Sequence, residues 1–73
     1  MKIMWTKYAI GPSLRNIRRA KGITQEELGE AAGLSANAIS KWESGINFPE
    51  MGCLAKLCNE LKCTPNDLMW RED

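Results

Sequence analysis

The stretch TQEELGEAAGLSANAISKWESG, Thr24 to Gly45, carries two helix starts with one glycine between them. Thr24 followed by Glu27 three residues on is a capping box, in which each residue's side chain satisfies a backbone N–H of the other. Gly33 ends the first helix, Ser35 starts the second and Gly45 stops it. With only Gly-Leu-Ser between them, the two helices have to cross steeply, and Gly33 supplies the left-handed backbone that such a turn needs. Gly29 is small enough for the helices to approach, and Leu28, Leu34, Ile39 and Trp42 fall at the inward positions. Half of the surface of so compact a pair has no core to face, which leaves it free to meet something outside the chain.

The flanking sequence supplies the rest of a small all-α domain. GPSLRNIRRAKG reads as a first helix with Gly11 as N-cap, Pro12 at the first helical position, Leu14 and Ile17 on one stripe and Gly22 as the stop. FPEMGCLAKLCNELK places Pro49 at a helix start and Leu54, Leu57, Cys58 and Leu61 on the stripe of an amphipathic helix. TPNDLMW repeats the start signals with Thr64, Pro65 and Asp67, giving a short fifth helix. The first ten residues are an arm of undetermined form. This divides the chain into an arm (1–11), a domain with helix-turn-helix spacing (12–70) and a tail (71–73).

At 73 residues the chain is near the lower size limit for folding on an apolar core alone. No apolar run approaches the about 20 residues needed to span a membrane, and MKIMWTKYAI lacks the h-region and cleavage site of a signal peptide, so no membrane is expected and the cytoplasm is the expected location. If Cys53 and Cys58 share one helix, they diverge by about 140°, too far for one tetrahedral metal site. There is no histidine, so no metal cluster and no catalytic constellation can be assembled. Cys58 and Cys63 are read as small buried hydrophobes and Cys53 as a partly exposed thiol.

The net charge of +1 hides an asymmetry. Residues 1–25 carry +6 with no acid, residues 26–50 carry −4 and the remainder −1. A basic N-terminal third suits a phosphate-rich partner, although a solvated helix face gives the same pattern.

With Ile39 and Trp42 turned inward, Asn37, Lys41 and Ser44 project from the opposite face of the third helix, with Ser40 at its edge. Asn can bond adenine N6 and N7 together, Lys favours guanine O6 and N7, and the Ala36 methyl suits a thymine methyl. Ser35 caps this helix with Ala38 where a capping-box acid would stand, so its hydroxyl and the neighbouring amides can face phosphate.

The segments LRNIRRAKGITQEELGEAAGLSANAISKWESG and LAKLCNELKCTPNDL, which span Leu14 to Leu68, resemble the Cro/C1-type (XRE-like) helix-turn-helix proteins. The resemblance implies a compact five-helix lambda-repressor-like DNA-binding domain whose third helix, 35–44, lies in the major groove. It further implies a sequence-specific transcriptional regulator, most often a repressor, that binds double-stranded DNA as a homodimer with no cofactor. On this pattern Gln25 contacts the DNA backbone, and Arg18 and Glu43 form a partly buried ion pair between helices one and three. The DNA-binding set is then Gln25, Ser35, Ala36, Asn37, Ser40, Lys41 and Ser44. The chain departs from the pattern at Ile46, Asn47 and Phe48, where basic residues are frequent, and at Lys62, where glycine is common. Glu26 and Glu30 add negative charge to the exposed face of helix two. The competing reading is an antitoxin or protein-interaction module on the same domain, with Met4, Trp5, Tyr8, Met69 and Trp70 as its docking surface and a protein partner in place of DNA.

Overall fold

Local capping chemistry sets most of the element ends. In the computed structural model, which describes the backbone of residues 2–68 and the side chains of residues 10–68, the helices are α1 (Lys2–Ala20), α2 (Gln25–Ala32), α3 (Ala36–Ser44), α4 (Met51–Leu61) and α5 (Pro65–Leu68). There is no strand among the described residues. Thr24 Oγ1 accepts from the Glu27 N–H at 3.0 Å and Glu27 Oε1 accepts from the Thr24 N–H at 2.8 Å, so the capping box is complete. Ser35 Oγ accepts from the Ala38 N–H at 3.0 Å. Thr64 and Asp67 exchange the same pair of bonds at the start of α5. Gly33 closes α2 at φ +73°, in the left-handed region.

Two starts differ from the sequence reading. Helix one does not begin at Gly11 and Pro12: α1 runs from Lys2, with Pro12 inside it. An internal proline removes one backbone bond and crowds the preceding turn. Here that cost is offset from both sides, because Ile10 and Leu14 are both fully buried in the core. Gly11 is a packing residue rather than a cap: a Cβ there would lie 2.7 Å from the Glu43 carbonyl oxygen and 3.0 Å from that of Trp42. Helix four likewise begins at Met51, with Glu50 as N-cap and Pro49 buried before it. Met4, Trp5, Tyr8, Met69 and Trp70 lie outside the described side chains.

The helices close around one core of Ile10, Leu14, Leu28, Ile39, Trp42, Leu54, Leu57, Cys58, Leu61 and Leu68. Helix α1 packs on α3 and α5, α2 packs on α3 and α4, and α4 also meets α5. Leu57 and Leu61 are fully buried; truncating either to Ala costs about 2–5 kcal/mol in a core of this kind. Cys58 is buried with them, whereas Cys63 and Cys53 are half-buried. Burial and the neighbouring Cys58 thiol push the Cys63 thiol up to about 11, which leaves it protonated and unreactive near neutral pH. No helix among the described residues is long and apolar enough to cross a membrane.

Candidate nucleic-acid interface

Helix α3 is held on three sides. Ile39 is fully buried, Trp42 is 6% exposed and Glu43 is 4% exposed, and the backbone of α1 at Gly11 lies against its last turn. At its other end the turn from α2 passes so close that a Cβ on Gly29 would sit 2.6 Å from the Leu34 carbonyl oxygen. A helix fixed this way presents its outer face without freedom to roll.

An electrostatic knot completes the clamp. Arg18 Nε donates to Glu43 Oε2 at 2.7 Å and Arg18 Nη2 donates to Glu43 Oε1 at 3.2 Å, a bidentate pair joining α1 to α3. The remaining Arg18 nitrogen, Nη1, donates to the Ile23 carbonyl at 2.7 Å, which ties in the connection ahead of α2. Gln25 Nε2 donates to Glu43 Oε1 at 2.9 Å. Arg15 stands 3.6 Å from the same carboxylate and donates to the Glu43 backbone carbonyl at 3.4 Å. Burial pushes the Glu43 carboxyl up, but the hydrogen bonds from Arg18 and Gln25 and the charges of Arg18 and Arg15 outweigh it and hold the group below the usual carboxylate range. The Glu43 hydrogen bond, against the opposing effect of burial, raises Arg18 in turn.

On the outer face, Asn37, Lys41 and Ser44 are exposed and Ala36 and Ser40 are half-buried, whereas the half-buried Ala38 packs against the core. The Ser44 hydroxyl donates to the Ser40 carbonyl at 2.8 Å, which leaves its lone pairs for a partner. Ser35 is exposed at the α3 start. Gln25 is half-buried, and its inward hydrogen bond leaves a second amide hydrogen for another acceptor. The structure thus brings Asn37, Lys41 and Ser44 onto one surface and places Gln25 beside it as part of the clamp.

Sequence reasoning did not find Arg15 or the far wall of the site. Arg15 precedes Arg18 by three residues and so shares its helix face, a spacing that could have placed it near Glu43. An open groove of about 430 Å³ runs along α3, with Asn37, Lys41 and Trp42 on one side and Asn47, Phe48, Glu50 and Cys53 on the other. Its far wall depends on how the α3–α4 connection folds back, and no local pattern gives that.

A family model described as "Helix-turn-helix" matches residues 14–68. The chain is 38% identical over 60 residues to the HTH-type transcriptional activator BcrR of Enterococcus faecalis, a match that covers 82% of this chain and 29% of that protein. The matches to two further transcriptional regulators span 11% and 40% of their lengths, so the chain matches less than half of each of these three relatives. Among solved structures, the P22 c2 repressor in complex with a synthetic operator is similar at TM-score 0.78 and 35% identity, covering 82% of this chain and 91% of that one. The restriction-modification controller protein C.AhdI of Aeromonas hydrophila is similar at TM-score 0.81 and 30% identity, covering 86% and 96%.

Proposed function

We propose, from the premise that this chain belongs to the helix-turn-helix family whose model covers residues 14–68, that it is a sequence-specific transcriptional regulator which lays α3 in the major groove of double-stranded DNA. The observation that carries the reading is the division of α3 into a pinned face and a free one. Ile39, Trp42 and Glu43 are buried, while Asn37 and Lys41 project outward with side chains able to bond adenine and guanine edges. Ala36, at the start of the helix, offers a methyl group to a thymine methyl.

Phosphate contacts then come from Gln25, Ser35, Ser40 and Ser44 around the rim and set the register of the helix on the duplex. Exposed Glu26, Glu27 and Glu30 on α2 oppose phosphate, so the electrostatic share of binding is small for a protein of this kind. One module reads few base pairs, and each contributes about 1–3 kcal/mol. A second copy on a two-fold axis doubles that readout and places half-site centres about 34 Å apart.

The P22 c2 protein, a repressor by name, is similar over 82% of this chain. By that analogy we assign repression, by occupying a site that overlaps a promoter. Repeated selection of bound duplexes from random DNA tests the function: enrichment of one inverted repeat supports it, and recovery of unenriched sequence refutes it. Transcription from a promoter carrying the selected site should fall as protein is added, and a rise would assign activation instead.

A further inference from the structure

Helix α4 ends on a cap that brings two cysteines together. Lys62 turns the chain in the left-handed region, and the Cys63 N–H donates back to the Cys58 carbonyl at 3.0 Å. That bond is the long one of a Schellman motif, in which the side chain just past the cap folds onto one in the last helical turn. At those two positions this chain has Cys63 and Cys58. Both are free thiols, both pack into the one core, and they stand in hydrogen-bonding contact with each other. Cys58 is 7% exposed and Cys63 is half-buried, so the pair is shielded from bulk water and reached past Cys63.

We propose that Cys58 and Cys63 form a binding site for a soft monovalent cation, copper(I), held between two thiolates. Copper(I) is satisfied by two sulfur ligands, and thiolate is the side chain that selects it. Structural zinc takes four protein ligands, and among the described residues no three His, Cys, Asp or Glu side chains stand together as a metal site. Asp67 is the acid near enough to act on Cys63. Its Oδ2 accepts from the Thr64 N–H at 2.9 Å, and carboxylate oxygen suits harder ions. On binding, two S–H bonds break, two sulfur–copper bonds form and two protons leave to solvent, with copper unchanged in oxidation state. The product carries one net negative charge; the Lys21 ammonium acts on Cys63 to offset it, against Asp67. Joining the same pair as a disulfide would need an acceptor for two electrons, and a protonated thiol is a poor nucleophile towards one. The site lies at the far end of α4 from Glu50 and Cys53, which line the groove along α3. It therefore gives the chain a second ligand without using the face proposed to read DNA.

The test titrates the full chain, reduced and without oxygen, with copper(I) held by the coloured chelator bathocuproine disulfonate. The unmodified chain and Cys53→Ser should each withdraw one copper(I) per chain and release two protons per ion. Cys63→Ser, at a half-buried position, and Cys58→Ala should each weaken uptake by more than the about 10–100-fold that loss of a supporting group costs. Circular dichroism shows whether each variant keeps its helices. X-ray absorption of the copper-loaded unmodified chain, which needs no variant, should show two sulfur ligands. Failure of the unmodified chain to withdraw copper overturns the proposal, as does full uptake by Cys63→Ser or loss of uptake in Cys53→Ser. One ion per two chains, or a shell of three sulfurs, would move the metal to a site between copies and overturns it equally.

Discussion

Arg18 on α1 and Glu43 on α3 meet through two hydrogen bonds, Nε to Oε2 at 2.7 Å and Nη2 to Oε1 at 3.2 Å, with both side chains buried. The pair fixes the angle between the first helix and the helix assigned to base reading. Removing one partner of a buried pair leaves the other charge stranded, at a cost of about 3–5 kcal/mol. Glu43→Ala should therefore lower the melting temperature by on the order of 10 °C or more in a domain of this size. Glu26→Ala, at an exposed position, should change it little. Equal shifts in the two variants would contradict the assignment.

The same carboxylate makes stability pH-dependent. Glu43 titrates below its ordinary value of 4.5 in the folded chain, so the folded state holds its proton less tightly than the unfolded one. The resulting stabilisation is present above about pH 4.5 and is lost as pH falls through the depressed folded value. Urea denaturation between pH 7 and pH 3 should show a steeper acid loss for the unmodified protein than for Glu43→Gln. Parallel profiles would remove Glu43 from the account.

Lys62 closes α4 with φ +57° and ψ +48°, the one non-glycine residue of positive φ among those described. A side chain in this region costs about 1–2 kcal/mol relative to glycine, and part of that returns as unfolded-state entropy on substitution. Lys62→Gly should raise the denaturation midpoint by the equivalent of about 0.5–1 kcal/mol. A fall would show that the lysine side chain makes a compensating contact.

Gly11 and Gly29 should each resist the smallest possible enlargement. A Cβ at either meets a backbone carbonyl oxygen of another element, at 2.7 Å and 2.6 Å respectively, and backbone cannot swing aside as a flexible side chain can. Gly11→Ala and Gly29→Ala should each destabilise the domain by on the order of 1–3 kcal/mol. Gly52→Ala, which meets nothing within 4 Å, should not. Thermal melts of the three variants decide it.

Gly11 also shows where sequence reasoning stops. The starts of α2, α3 and α5 were legible because Thr24, Ser35 and Thr64 act on backbone groups within three residues of themselves. The α4 stripe was legible because Leu54, Leu57, Cys58 and Leu61 follow the helical period and are all buried. Gly11-Pro12 carries the same local signal as a true helix start. What overrides it is the packing of Ile10, Gly11 and Leu14 into a core shared with α3, residues about 30 positions away. In the candidate site, the outward position of Asn37 and Lys41 followed from periodicity. The inward bond of Gln25 and the recruitment of Arg15 did not, because both depend on where Glu43 comes to rest.

The central claim is that the free face of α3 reads base edges. The most direct measurement is a repeat of the site selection with Asn37→Ala and with Lys41→Ala, with each enriched sequence compared to that of the unmodified protein. Each variant should lose preference at one base position per half-site, with discrimination there falling by the about 1–3 kcal/mol of a bidentate contact and the rest of the sequence preference retained. Retention of the full sequence preference in both variants would contradict base reading by α3.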